Sequence, residues 1–385
     1  MVDYTKDSIL TLKIDSNVVV KNYLYENETE INVFPEIINR LFRNKSNLEA
    51  RVSQTVDGKI DIPIFDRYIS CTFVTCSGLG NQMFRFASLY GIGRHFNRSA
   101  FFPASNRCQK NTMPEIKATF PNFFNTIKLL NAVPKESIKS DFALDCCRYQ
   151  NPNTMHDVQQ KYLILNGNFM QSFKFFDYRK NDIRYFFDFD MKVKKAVEEN
   201  GKKLFGNDSS HKLCVHIRRG DFIQHEQLES RAEFVEPSIP FLHKNLTQKG
   251  ISNISLILLG TDHAFIKNLK FNQSNFKSIY HPILKSRGED MHFGIQYCNS
   301  LLITASGSTF AWWIGYLMPE GSQIFYNGQI GKNRTYSKDF YDFDMFPSNW
   351  NMLELNRSTK TIQLDNRWHY ERFAWPRKGI PPLIG

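Results

Sequence analysis

Lys212-Leu213-Cys214-Val215-His216-Ile217-Arg218-Arg219-Gly220-Asp221 passes from a mostly apolar stretch straight into a cluster of charge. A short apolar run that ends at Gly and charged residues reads as a strand buried on both faces, the kind that parallel sheets contain. Two adjacent guanidinium groups at the mouth of such a strand need an anionic partner, because leaving them unpaired there carries a large desolvation cost. A phosphate-bearing ligand meets that need. So does an internal pair with Asp221, and the ten residues alone fit both readings.

Two distant segments repeat the pattern. Upstream, Arg67 to Val74 reads as a strand, Ser77-Gly78-Leu79-Gly80-Asn81-Gln82 as a tight turn, and Met83 to His95 as a helix with apolar residues at helical spacing. Downstream, Ser300 to Ala305 is strand-like, Ser306-Gly307-Ser308-Thr309 is a turn, and Phe310 to Leu317 is an apolar helix. Glycines in such turns let backbone N–H groups approach a ligand, and the helix N-terminus behind them favours negative charge. One such unit is an ordinary connection in an α/β protein. All three begin at strand ends, and ligands of open α/β sheets bind outside the carboxyl ends of strands, so the three can converge on one cleft.

Strands alternate with helices along much of the chain, which predicts parallel sheets. A first α/β unit is expected to hold strands at 69–75, 100–103 and 162–167 and helices at 80–95 and 178–187, followed by a polar linker over 201–211. A second is expected to hold strands at 213–218, 254–260, 278–281, 301–305 and 323–326. The division is therefore an N-terminal stem or cap (1–66), a first lobe (67–211), a second lobe (212–345) and a tail packing back on the body (346–385). With 385 residues, 42% of them hydrophobic, the chain can build two cores.

A net charge of +11 asks for an anionic partner, nucleic acid included. The positive charge is dispersed, however, and the aromatic–basic stretch Arg367 to Lys378 is read as packed tail in preference to a base-stacking surface. Nucleic acid is therefore not the expected partner. The seven cysteines show no zinc-like spacing, and Cys71, Cys214 and Cys298 lie in apolar runs that suggest inert core thiols. Nine Asn-x-Ser/Thr sequons start at Asn27, Asn44, Asn97, Asn207, Asn245, Asn253, Asn272, Asn333 and Asn356, which fits a secretory lumen. Against that, no stretch approaches the ~20 apolar residues of a membrane span, and the first thirty residues lack an apolar signal core.

In the order and spacing of its three segments the chain resembles the α1,2-fucosyltransferases of glycosyltransferase family 11, which use GDP-fucose. His216-Ile217-Arg218-Arg219-Gly220-Asp221 is similar to that family's His-x-Arg-Arg-Gly-Asp motif, and Gly78-Leu79-Gly80-Asn81-Gln82-Met83 to its Gly-x-Gly-Asn-Gln loop. The stretch from Glu289-Asp290-Met291-His292-Phe293 through Tyr297-Cys298-Asn299 to Ser308-Thr309-Phe310-Ala311-Trp312-Trp313 is similar to its C-terminal signature. The resemblance implies two Rossmann-like lobes facing a cleft (the GT-B architecture), with the acceptor on the first lobe and GDP-fucose on the second. It also implies a galactose-terminated glycan as acceptor and a Golgi lumen or membrane location. Any anchor for that membrane is not present in this chain. The chain begins after it, the gene model is truncated, or this member is soluble.

Fucosyl transfer breaks a sugar–phosphate bond while negative charge grows on the diphosphate, so a positioned cation or a set of backbone donors is required. Arg218 is the expected first phosphate ligand, because a guanidinium grips two oxygens and stays charged. Arg219 is a further candidate donor ligand; if the strand continues that far, its side chain points to the opposite face and instead pairs with Asp221 or another acidic group, bracing the loop. Ser308 and Thr309 would offer hydroxyls and N–H groups to the diphosphate, and Gly80 and Asn81 would reach the donor from the other lobe. By the resemblance Asp290 accepts from the guanine edge and His216 lies beside the nucleotide, though a buried strand histidine fits His216 as well. Trp312 and Trp313 are read as core in preference to a sugar platform.

Inversion needs a base opposite the leaving group; Asp221 and Glu226 are candidates, and either fits a loop-bracing ion pair too. A sufficiently electrophilic sugar cation needs no strong base. No metal or other cofactor is expected: Asp188-Phe189-Asp190 and Asp342-Phe343-Asp344 have the Asp-x-Asp form of Mn²⁺ ligands but lie in aromatic runs without a Gly loop. The alternatives are a GDP-sugar-binding protein without transfer, a metal-dependent glycosyltransferase of other specificity, and a basic nucleic-acid binder.

Overall fold

The computed structural model describes residues 62–73, 76–155, 158–224, 227–332, 341–365 and 367–368, together with the backbone of short strands at 9–13, 19–23, 55–56 and 59–60. Most of the segment 1–66, the end of the chain beyond 368, and Glu226 lie outside the described residues.

Two sheets organise the compact unit formed by residues 55–375. The first has strands β1 (Arg67–Cys71), β2 (Arg98–Pro103), β3 (Lys128–Leu130), β4 (Ile138–Ser140) and β5 (Tyr162–Leu165), in the order β3-β2-β1-β5-β4, all parallel. The second has β6 (His211–His216), β7 (Ile254–Leu259), β8 (Ile279–Tyr280), β9 (Ser300–Ile303), β10 (Gln323–Asn327), β11 (Asn351–Asn356) and β12 (Thr361–Leu364). Its order is β8-β7-β6-β9-β10-β11-β12, parallel except for the last pair. The chain thus adopts the expected α/β architecture of two Rossmann-like lobes.

In each sheet the winding direction reverses beside the first strand, between β1 and β5 and between β6 and β9. Such reversal points leave a crevice at the strands' carboxyl ends, where ligands bind. The period-2 alternation of β6 explains its double burial. Leu213, Val215 and Ile217 pack with Val235, Ile239 and Leu242 of the helix Ala232–Gln248, while Cys214 faces the opposite cluster.

Five helices matter for the site: α1 (Leu79–His95), α2 (Arg107–Thr119), α3 (Met191–Phe205), α4 (Arg287–Tyr297) and α5 (Thr309–Leu317). The start of α4 is written in Ser286-Arg287-Gly288-Glu289. Ser286 Oγ accepts the Glu289 N–H at 3.2 Å, and Glu289 reaches back to the Lys285 N–H at 3.1 Å, a variant of the capping box. α1 and α5 pack against each other between the sheets, and one core cluster runs through both lobes: Ile69 and Leu165 from the first sheet and Ile257, Leu301 and Ile303 from the second belong to it. Trp312 and Trp313 sit fully buried at its centre.

Three expectations are corrected. Residues 201–205 continue α3 instead of starting a linker, because Gly201 is a point of close approach: a Cβ there would collide with the ring of Tyr297. Residues 351–364 are strands β11 and β12 of the second sheet, so the chain after 345 is not simply a tail. Cys214 and Cys298 are not inert core thiols but form a disulfide. The chain leaving α4 at Cys298 turns into β9, the neighbour of β6, with Asn299 N–H bonded to Lys212 O at 3.0 Å. That turn brings the two Cα atoms to 5.6 Å. Cys76–Cys108 and Cys146–Cys147 are the other disulfides, and Cys71 is a free buried thiol pushed up to about 12 by burial against the opposing pull of Arg85.

Candidate active site

The loops after β1, β5, β6 and β9 meet around a cavity of about 690 Å³. Ser77 to Asn81 enter it from β1, Phe169 and Gln171 from β5, Arg218, Asp221 and Phe222 from β6, and Gly307 to Phe310 from β9. A smaller cavity of about 190 Å³ shares Arg218, Asp221, Arg287 and Phe310 with it and continues toward His216, Gly260, Thr261 and Asp290. Both reversal points therefore open into one cleft, which joins the sequence segments around Gly78, Arg218 and Ser308.

The N-termini of α1 and α5 abut at this cleft. A Cβ on Gly80 would lie 2.7 Å from the backbone nitrogen of Phe310 and 2.8 Å from Thr309 Oγ1, so only glycine allows the approach. Trp313 Nε1 donates to Gly80 O at 3.0 Å and fixes the seam from beneath. The loop leading into α1 holds Ser77 at φ 59°, the left-handed region. Orphan N–H groups of two helix ends thus lie around the same space, and their dipoles favour an anion there. Ser308 Oγ caps α5 by accepting the Ala311 N–H at 3.4 Å, which leaves its own hydrogen to donate.

Arg218 lies two residues beyond β6, its backbone N–H anchored on Ser230 Oγ at 2.8 Å. Its Nη2 pairs with Asp221 at 2.8 Å, and its guanidinium lies 5.1 Å from the centre of the Phe222 ring. Its Nε is buried with no hydrogen-bond partner among the described residues. His216, only 6% exposed, likewise has no partner for Nδ1. Burial first, and Arg218 second, push His216 down to about 3, so its ring is neutral at physiological pH. Arg219 also borders the smaller cavity, and its acidic partner is Asp262 (Nε at 3.0 Å), while Asp221 is taken by Arg218. Its Nη1 also donates to Ser230 O at 2.7 Å.

Asp290, in the first turn of α4, borders the smaller cavity; burial and the neighbouring Glu289 raise its carboxyl to about 6. Asn81 accepts a 2.8 Å hydrogen bond from Gln171 Nε2, linking the loops after β1 and β5. Asp221 is the only carboxylate among the described residues lining the larger cavity. Glu226 lies outside the described residues.

The two Asp-x-Asp triplets line neither cavity. Asp188 pairs with Lys194 at 2.7 Å, Asp190 caps α3 at Lys192 N, and Asp342 accepts the Phe343 N–H. Asp344 is bound to Lys174 and the Tyr149 N–H, each at 2.8 Å. No group of three metal-ligating side chains occurs among the described residues.

Phe169, Gln171 and Arg287 are lining residues that the sequence reading missed. The first two follow a strand end, the same signal that revealed Gly78 and Arg218, and Arg287 sits inside the Ser-x-x-Glu signature that begins α4.

The Caenorhabditis elegans protein svh-11 is 29% identical over 301 residues, 75% of this chain and 79% of its own length. A galactoside 2-alpha-L-fucosyltransferase of the same organism is 27% identical over 315 residues, 80% and 85% of the two chains. Among solved structures, fucosyltransferase NodZ from Bradyrhizobium covers 79% of this chain and 100% of its own at 10% identity, with a TM-score of 0.45. The family model of Glycosyl transferase family 11 matches residues 64–354, a span that holds all four cleft loops and both sheets up to β11, and the chain therefore belongs to this family of glycosyltransferases.

Proposed function

We propose that this chain is an inverting fucosyltransferase that moves L-fucose from GDP-fucose to a terminal galactose in α1,2 linkage. The observation that carries the proposal is the cation at the cleft: Arg218 presents a guanidinium whose buried Nε lacks a partner, beside an equally unpartnered His216 Nδ1, where two helix N-termini converge. That is a site for a diphosphate. Names of relatives that act on galactosides with fucose support the choice of sugar and linkage.

In this mechanism the second lobe holds the donor. Arg218, Ser308, Thr309 and the N–H groups near Gly80 engage the diphosphate, Asp290 accepts from the guanine edge, His216 lies beside the nucleotide, and Asn81 with Gln171 faces the sugar from the first lobe. When Arg218 turns to the diphosphate, Asp221 loses its partner and is free to take the acceptor hydroxyl proton. Arg219, neutralised by Asp262, braces the loop. Three disulfides and nine sequons support a secretory compartment, and with it the Golgi setting of the family. No helix among the described residues is long and apolar enough to cross a membrane.

The test is transfer from GDP-fucose to a galactose-terminated oligosaccharide, with the linkage of the product determined. Charge compensation by Arg218 and helix ends makes the rate insensitive to excess EDTA. A metal-bridged diphosphate would instead lose on the order of a thousandfold, restored by Mn²⁺, and that result would redirect the mechanism to a metal.

A second expectation concerns Asp290. Asp290→Asn weakens GDP-fucose binding, and the wild-type donor affinity falls as pH drops below about 6, when the carboxyl takes up a proton and can no longer accept two guanine N–H groups. The folded-state value is raised, so the stabilisation from this group is present in acid and fades as pH rises through about 6. Asp290→Asn therefore unfolds no more easily than wild type at pH 7.5. Calorimetry with donor and denaturant melts across pH 5 to 8 check both halves, and unchanged donor affinity removes Asp290 from the site.

A further inference from the structure

The two arginines of the charged motif are not the only cations at the cleft. Arg287 occupies the first position of α4, fixed there by the Ser286–Glu289 cap, and borders both cavities where they join. Its guanidinium is held from the first lobe: Nε donates to Glu115 Oε1 at 2.8 Å and Nη2 to Glu115 Oε2, on helix α2. The remaining nitrogen, Nη1, makes no hydrogen bond to a described residue and lies 3.5 Å from where a Cβ on Gly78 would stand, against the loop that opens α1.

We propose that Arg287 is a second donor-binding cation, which releases Glu115 and closes on the diphosphate when the nucleotide sugar arrives. The inference rests on the donor site proposed above. Charge supports it. The diphosphate of a nucleotide sugar carries two negative charges and gains a third as the sugar departs, whereas Arg219 is committed to Asp262. Arg218 alone does not balance that charge. Arg287 is half exposed (53%), and an exposed ion pair with a carboxylate contributes little to stability, so exchanging Glu115 for a phosphate costs little. A bidentate guanidinium fork suits a carboxylate and a phosphate equally well. In the unloaded enzyme Glu115 holds the fork beside the two cavities.

The experiment measures GDP and guanosine as competitive inhibitors of fucosyl transfer, and GDP binding by calorimetry, for wild type, Arg287→Ala, Arg287→Lys, Glu115→Gln and Arg218→Ala. Arg287→Ala is expected to weaken GDP tenfold or more and to leave guanosine unchanged, with Arg287→Lys in between. Glu115→Gln keeps or tightens GDP, because it removes the competing carboxylate. If Glu115→Gln weakens GDP as much as Arg287→Ala does, the pair is only a brace between lobes and the proposal falls. It falls alone if Arg287→Ala and Arg287→Lys bind GDP normally while Arg218→Ala does not. Failure of the wild-type chain to bind GDP overturns both this proposal and the donor site beneath it.

Discussion

Arg218→Ala lowers kcat/KM for fucosyl transfer by about 10²–10³-fold, the cost of removing one preorganised donor from a developing anion. The size follows from where the guanidinium sits. Its backbone is pinned by Ser230, its ring contact with Phe222 limits its swing, and its buried Nε has no partner other than an incoming ligand. Arg218→Lys keeps the charge but not the two-pronged grip, and so loses most of the activity. Arg219→Lys is milder, because Asp262 and Ser230 O already hold that side chain. Initial rates at saturating acceptor separate these cases; near-normal rates for both lysine variants would take the diphosphate away from Arg218.

The largest loss of stability is expected from Trp313→Ala. The indole is fully buried, stacked at 5.6 Å on Phe176 and edge-on to Phe187 at 5.0 Å, and it hydrogen-bonds Gly80 O. Removing it leaves a cavity bordered by rings that cannot collapse and an unpaired carbonyl, for a cost of about 3–5 kcal/mol. Against a total of about 5–15 kcal/mol that is a large fraction. A shift in denaturant midpoint reads it directly. Because Gly80 loses its anchor, donor affinity falls in the same variant under conditions where it remains folded. Trp313→Phe retains much of the packing and gives up the hydrogen bond, about 1 kcal/mol. Equal stability of all three proteins would mean that Trp313 does not hold the seam.

Where the local signal was strong, sequence and structure agree. The strands ending at Cys71, His216 and Ile303 announce themselves by apolar runs stopping at Gly, Ser or Arg, and the cleft forms where those runs stop. What escaped has physical causes. Residues 201–205 of helix α3 read as polar linker in the sequence, when the reason for a glycine at 201 is the ring of Tyr297 from another helix. Helix α2 carries Pro114 inside it and is polar on average, so no apolar run marks it. The Cys214–Cys298 bridge joins residues 84 apart in the chain, a proximity set only by β9 pairing with β6. The partner of Asp221 turned on a rotamer: β6 ends at His216, before the two arginines, and its alternation says nothing of whether Arg218 folds back three residues along the chain.

One core threads both lobes, and Phe84, Phe176, Trp312 and Trp313 interlock at its centre. Lobes joined in this way are not interchangeable cassettes. A chimera that pairs the first lobe of one family member with the second of another must match four aromatic rings and the Gly80–Thr309 contact at once, and a mismatch by one methylene disturbs donor site and fold together. Not every residue at the carboxyl ends of the strands carries that constraint. Phe169 borders the cavity from the loop after β5, outside the interlocked rings and the Gly80–Thr309 contact, so the lining can change there without disturbing the seam. An effort to redirect the proposed transfer to another acceptor is therefore best begun at such side chains, on an unaltered pair of lobes.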